Sequence, residues 1–347
     1  MSINDAKCGT KNIPESSHTF EVVGIGANVH DTLITIPKYP TEDTKMRANN
    51  IIECGGGPCG TGLVAASKLG ADCAYIGVLS DDTSGKFLLG DMQRFGVSGD
   101  LVDVKKGYSA FSSFIWLSND TASRTCVFNK GNLPPLELSE SQKTAIKNAE
   151  ILMVDGNELD AAVDAAKIAR ESGTKVLYDA GGLYDGIERL LPYADILIPS
   201  EEFAMGHTGE TTPEDAAKAL FEKYCPNMVA VTCGKRGGVL YCGGDMFVHY
   251  PAFTVDAVDS NGAGDVFHGA FAYALTQNMK YEDACIFSSA VSALKCTKIG
   301  ARDGVPVLDE VKEFLKERGY NEFKEKVKEM KKKGIAARLP VKFKSIQ

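Results

Sequence analysis

Short apolar runs suited to buried strands alternate with segments of helical hydrophobic period over most of this chain. That alternation limits the fold more than any other feature. The strands fall at 20–25, 73–77, 151–154, 176–178, 196–198 and 228–232. Apolar residues recur at helical spacing over 61–69, 86–95, 159–172, 213–223, 263–275, 281–296 and 308–317. Strands joined through helices pair in parallel, so the expected class is α/β, a three-layer fold whose mostly parallel central sheet is flanked by helices. Two stretches break the rhythm. Residues 33–53 and 108–128 are rich in β-branched or alternating positions and lack a helical period. Each lies between strand–helix units, so together they are expected to form one small β-sheet, a lid over the main domain. A hairpin is expected over 238–248, turning at Gly243-Gly244-Asp245. The expected organisation is a tail over 1–19, one domain over 20–320, and a basic helix and tail over 321–347.

Composition removes other classes. At 347 residues, 44% hydrophobic and 24% charged, the chain is neither disordered nor fibrous. No run approaches ~18 apolar residues, so no spanning helix is expected. The N-terminus mixes Asp5, Lys7, Lys11 and Glu15 without an apolar core, which is no secretory leader. A soluble, cytoplasmic protein is expected. The ten cysteines show no C-x-x-C pair, and reduced, buried thiols are expected rather than zinc or disulfides. A net charge of −8 argues against nucleic acid as a partner. The segment 321–347 holds nine Lys or Arg against three Glu. Read from its residues, it is either a solvated helix with a loose end or an arm for an anionic partner.

The strongest local signal is Asp259-Ser260-Asn261-Gly262-Ala263-Gly264-Asp265, directly before a small-residue helical run. Amides at such a helix start point outward at the positive end of the dipole and can cradle a phosphoryl group. Glycine lets the anion approach. A carboxylate beside that anion suits the removal of a proton from an attacking hydroxyl, which is the layout phosphoryl transfer needs. The residues alone also allow a glycine-rich turn with Asp265 as an ordinary helix-start carboxylate.

This string resembles the second signature of the PfkB carbohydrate kinases, the ribokinase family, with Ser260 where Thr is usual. Four further pieces fall in that family's order. Gly24-Ile25-Gly26-Ala27-Asn28-Val29-His30-Asp31 resembles its sugar-binding opening, and Gly55-Gly56-Gly57-Pro58-Cys59-Gly60-Thr61 its first signature. Val231-Thr232-Cys233-Gly234-Lys235-Arg236-Gly237 resembles its nucleotide-phosphate loop, and the run from Ala293 to Ala301 the close of its adenine pocket. The resemblance implies a ribokinase-like fold and ATP-dependent phosphorylation of a primary hydroxyl of a small sugar. It assigns Asp265 as base and the amides of Gly262, Ala263 and Gly264 as the anion hole. It further implies Asp31, Gly57, Thr61 and Asn157 at the sugar, and Thr232, Gly234, Gly237, Ala293 and Gly300 at the nucleotide. ATP, Mg²⁺ and potassium are the implied cofactors, with Asp259 as the monovalent-cation ligand; the residues alone read Asp259 equally as a turn cap.

Two departures matter. Thr61 stands where the family commonly has Asn. The family's Asn-x-x-Glu motif would begin at Ser200 and end on Phe203, leaving Glu201 or Glu202 to meet magnesium through water. Within the family, Tyr39-Pro40-Thr41-Glu42-Asp43 and Ser123-Arg124-Thr125 resemble ketohexokinase, and Gly55-Gly56-Gly57-Pro58 with Lys45 resembles sulfofructose kinase. That likeness implies a ketose or anionic sugar gripped by Lys45 and Arg124, where the residues alone read as solvated charges. A ribokinase or nucleoside kinase is the alternative, and a non-catalytic sensor a more distant one. His268 reads as a packed core histidine, and a homodimer through the lid is expected.

Overall fold

The computed structural model describes residues 19–121 and 123–320. The N-terminal tail up to residue 18 and the basic segment 321–347 therefore lie outside the described residues. In chain order the first strands are β1 (Val22–Ile25), β2 (Val29–Ile36), β3 (Asn50–Gly56), β4 (Cys73–Tyr75), β5 (Gly77–Ser80), β6 (Val97–Ser98) and β7 (Val102–Lys105). They are followed by β8 (Ser112–Ser118), β9 (Arg124–Asn129), β10 (Ile151–Val154), β11 (Lys175–Ala180) and β12 (Ile196–Pro199). The last are β13 (Met228–Thr232), β14 (Gly238–Tyr241) and β15 (Val248–Tyr250). The helices begin with α1 (Pro58–Leu69), α2 (Thr83–Arg94), α3 (Glu140–Asn148), α4 (Leu159–Ser172) and α5 (Glu201–Thr208). They continue with α6 (Pro213–Tyr224), α7 (Ala263–Thr276), α8 (Tyr281–Cys296) and α9 (Leu308–Glu317).

The main sheet runs β15-β14-β13-β12-β11-β10-β1-β4-β6, parallel from β13 to β6 and antiparallel at β14 and β15. The alternating side chains of its strands face two separate cores. Val22, Ile151, Met153, Leu177, Ile196, Ile198 and Met228 meet α1, α7, α8 and α9. Val23, Ile25, Leu152, Val154, Val176, Tyr178, Leu197 and Val229 meet α3, α4, α5 and α6. Burial on both faces is why these strands read as continuous apolar runs. The chain proceeds from β1 outward to β4 and β6, then returns beyond β1 to β10, so strand order reverses between β1 and β10. Open α/β sheets bind ligands outside such a reversal, at the carboxyl ends of the strands.

The two aberrant stretches meet in one four-stranded sheet, β3-β2-β8-β9. The first begins earlier than the residues suggest, at Val29, because β2 runs on from the loop after β1. The hairpin is present but pairs Gly238 with Tyr250, so its second strand ends beyond 248. Expected strand 73–77 is cut at Tyr75, and Gly77–Ser80 pairs instead with Val102–Lys105 in a separate two-stranded sheet. Helix α3 was not expected, since only Gln142 and Ile146 of its residues are buried, but Ser139 and Gln142 form the capping box that marks its start. Helix α5 is equally short of apolar signal; it starts at Ser200, whose Oγ accepts from the Phe203 amide at 3.1 Å. Cys126, Cys225 and Cys242 are exposed, contrary to the expectation of buried thiols, and the described cysteines are all unpaired.

Candidate active site

The strand-order reversal is organised by one carboxylate. Asp155, just past β10, accepts from the amides of Ala27 at 2.8 Å and Cys59 at 3.0 Å through one oxygen. Its other oxygen takes the Asn157 amide at 2.9 Å and side chain at 3.2 Å. Asp155 thus ties the loop after β1 to the start of α1, and Asn157 is turned onto it. Asn157 also lines a cavity of about 440 Å³ with Gly26, Ala27, Asn28, Phe111 and Lys130.

Helix α7 begins across the ends of β11 and β12. Gly262 is its N-cap with φ 76°, and a Cβ there would lie 2.7 Å from that of Ala301, so fold alone demands this glycine. Gly264 is different: a Cβ would meet nothing within 4 Å. Asp265 follows in the first turn. Burial, reinforced by Asp179, Asp155 and Asp31, pushes its carboxyl up to about 7, against an opposing pull from His268. Behind it, His268 Nδ1 lies 2.7 Å from the Gly264 carbonyl and Nε2 2.9 Å from that of Ile198. Asp179 Oδ2 stands 3.1 Å from Nδ1, off the hydrogen-bond line. Burial pulls the imidazole pKa down and pushes that of Asp179 up, while the two carbonyls can only accept from ring nitrogens that carry hydrogen. The packed core histidine is therefore a clamp between the anion turn and the sheet.

Asp31 hangs from the small sheet, buried, accepting from Ser113 Oγ at 2.6 Å. Burial pushes it up to about 6. A Cβ on Gly56 would collide with this carboxylate, and one on Gly57 (φ 85°) would come within 2.6 Å of the Ala27 carbonyl. Thr61 is wholly buried in α1 and its hydroxyl has no partner. The residue that organises this corner was not anticipated. Arg302, wholly buried, donates to Asp91 at 2.7 Å, to Asn28 at 2.6 Å and to the Gly56 carbonyl at 2.6 Å. Nothing near Arg302 in sequence pointed to Asn28 or Asp91.

Arg124, first residue of β9, donates to Asn261 at 2.9 Å, so the small sheet reaches the anion turn directly. Lys45 is exposed between β2 and β3. On the other side of the turn, Thr232 ends β13, and Gly234 and Gly237 both have positive φ in the tight turn that follows. A Cβ on Gly237 would collide with the Tyr250 carbonyl. Ala293 is buried in α8, and the Gly300 amide donates to Asp259 Oδ2 at 2.9 Å. Asp259 Oδ1 accepts from the Asn261 amide at 2.8 Å, so Asp259 does cap its own turn.

The pfkB family carbohydrate kinase model matches residues 25–308. The chain belongs to the PfkB carbohydrate kinases. It is therefore a phosphotransferase acting on an alcohol group, an ATP-dependent sugar kinase. It is 26% identical over 297 residues to the ribokinase of Haemophilus influenzae, covering 84% of this chain and 97% of that protein. It is 24% identical over 326 residues to the 5-dehydro-2-deoxygluconokinase of Clostridium perfringens, covering 87% of this chain and 94% of that protein. The structure of Arabidopsis thaliana ribokinase complexed with ribose and ATP superposes with a TM-score of 0.77 at 24% identity, covering 86% of this chain and 99% of that one. These relatives are a ribokinase and a 5-dehydro-2-deoxygluconokinase, which corrects the expected leaning toward sulfofructose kinase and ketohexokinase. The motif fragments behind that leaning are only a few residues long.

Not every expected contact of this PfkB kinase fits. Phe203 is buried against Tyr178 and His207, so the family's motif glutamate has no equivalent there. Glu201 is taken by Arg236 of the turn after β13, and Glu202 is exposed in the first turn of α5. No cluster of three His, Cys, Asp or Glu among the described residues could hold a metal. Mg²⁺ would therefore ride on nucleotide phosphates, neutralising their charge, with Glu202 the carboxylate available through water. A monovalent cation at Asp259 does not fit: the Lys295 ammonium already donates to the Asp259 carbonyl at 2.8 Å. No described helix is long and apolar enough to cross a membrane.

Proposed function

We propose that this kinase phosphorylates a primary hydroxyl of a ribose-sized sugar, with Asp265 as the base. The carrying observation is Asp265 in the first turn of α7, raised to about 7 and adjoining a glycine whose missing side chain nothing in the fold requires. The sugar hydroxyl gives its proton to Asp265 as its oxygen attacks the γ-phosphorus, and ADP leaves. Amides of Gly262, Ala263 and Gly264 meet the charge that develops on the transferred group. Asp31 and the backbone at Gly57 hold sugar hydroxyls, with Asn157 at the cavity edge, and Thr232, Gly234, Gly237, Ala293 and Gly300 border the nucleotide. The names of the relatives favour ribose over a ketose as the acceptor.

The small sheet acts as a lid that excludes water and so suppresses ATP hydrolysis. Its outer face carries Ile51, Phe114 and Val127 exposed, which suits pairing with the lid of a second copy. A second reading, an anionic sugar, draws on the lid cations. The Arg124–Asn261 bond, however, favours a role for Arg124 at the transferred phosphoryl, which leaves Lys45 alone to meet a substrate anion. An ADP-release assay over ribose, fructose, a sugar acid, a sugar phosphate and adenosine tests both readings. Ribose should give the highest kcat/KM. Turnover of adenosine alone would overturn the proposal, and turnover only of the acid or phosphate would favour the second reading.

A further inference from the structure

At Asp259 a buried lysine from α8 meets the turn before α7. The Lys295 side chain is wholly buried, and its ammonium sits between two oxygens of one residue, 2.8 Å from the Asp259 carbonyl and 3.7 Å from its Oδ2. A carbonyl and a carboxylate converging on a buried point are what a small monocation would take. The surroundings make room for the side chain. At Gly304 a Cβ would lie 3.3 Å from Lys295 Cε and 2.9 Å from the carbonyls of Gly300 and Lys295, so any larger residue would crowd the lysine. The same Asp259 carboxylate holds the amides of Asn261 and Gly300, and its own amide donates to the Cys296 carbonyl at 3.1 Å. The ammonium therefore lies directly behind the turn that presents Gly262, Ala263 and Gly264.

We infer that Lys295 replaces the monovalent cation, holding the anion turn in its active shape and making this kinase independent of potassium. The positive charge is delivered covalently, so no ion has to bind before ATP. The inference rests on the reading of that turn as the anion hole, but one arm of its test does not.

The full chain is exchanged into choline chloride and assayed with ATP, Mg²⁺ and ribose, then again with potassium replacing choline at equal ionic strength. Wild-type kcat/KM should change less than about twofold; an increase of fivefold or more on adding potassium would overturn the inference. Lys295→Ala opens the space the ammonium fills. In choline it should lose at least about tenfold in kcat/KM, and potassium or ammonium should restore most of it. Lys295→Met fills the space with an apolar chain and should lose activity that potassium does not restore. The second readout is thermal: potassium should raise the Tm of Lys295→Ala relative to choline and leave wild type and Lys295→Met unmoved. A Lys295→Ala enzyme fully active in choline would also overturn the inference. Should the alanine variant not fold in choline, its recovery in potassium counts in favour and the lack of recovery against. If no sugar is turned over at all, the proposed function fails while the thermal arm still decides the cation question.

Discussion

Two neighbouring residues show how differently the fold and the chemistry use the same turn. Gly262 is required by the backbone and by Ala301, so Gly262→Ala should lower stability, read as a fall in Tm. Gly264 opens onto free space in the first turn of a helix, where alanine is favoured over glycine by about 0.5–1 kcal/mol. Gly264→Ala should thus keep or raise Tm while cutting kcat at least about tenfold, because its methyl group occupies the path of the phosphoryl. Asp265 carries the opposite tension. Its folded pKa of about 7 lies above the unsupported value of 3.8, so the folded state holds an extra proton between them. The associated stability is complete below 3.8 and is lost as pH rises through 7. Activity should run the other way, falling as pH drops below about 7 and the base is protonated. Asp265→Asn should cut kcat at least about a hundredfold with ATP affinity within a few-fold. It should also show a Tm advantage over wild type that grows from pH 5 to pH 8, and melting curves across that range check it.

At the scale of elements, the four-stranded sheet is held to the main domain by polar contacts and by the stack of His30 on Phe87, and it presents apolar side chains on its outer face. Register places Phe114 beside Thr32 and Val127, and Trp116 beside Ile34 and Thr125, so this face carries exposed and half-buried apolar and threonine side chains, with Glu53 opposite Thr32. Its inner face carries Leu33, Cys54 and Ile115 as a small core, with Asp31 and Ser113 next to them. A sheet with an uncovered apolar face needs a partner or risks non-specific association. Phe114→Glu sets a charge in the centre of the outer face and leaves the inner one intact. Sedimentation should show a dimer for wild type and a monomer for this variant at micromolar concentration, with folded helix content unchanged. A wild-type monomer would sink the pairing of lids.

Across the whole molecule, Arg302 ties together pieces that lie far apart in sequence. It links α2 through Asp91, the loop after β1 through Asn28, the end of β3 through Gly56 and the turn before α9. A buried charge with three satisfied bonds is costly to break, because its partners are then left in an apolar surround. Arg302→Met should lower unfolding free energy by about 3 kcal/mol, read as a lower urea midpoint at unchanged slope. Asp91 keeps Arg94, 2.8 Å away, which moderates the loss. The same variant should raise the sugar KM, because Asn28 and Gly56 lose their anchor at the opening beside Asp31.

The layered fold, the positions of most helices and the glycine turn before α7 were legible because they depend on local pattern. Hydrophobic period, glycine spacing and the Ser139 and Ser200 caps act over a few residues, and the chain displays them wherever it is cut. Those two caps were readable signals for α3 and α5, helices with too little apolar surface to stand out by period. What tertiary structure alone decided are pairings between distant residues: Arg302 with Asn28 and Asp91, Arg124 with Asn261, His268 with Asp179 and Ile198, and Lys295 with Asp259. Each joins a charged or polar side chain to partners supplied by other elements, and one sequence places no limit on which of its many charges will meet. Burial then decides their chemistry. Removed from water, Asp265 has its pKa raised to about 7, and Lys295 meets Asp259 rather than solvent.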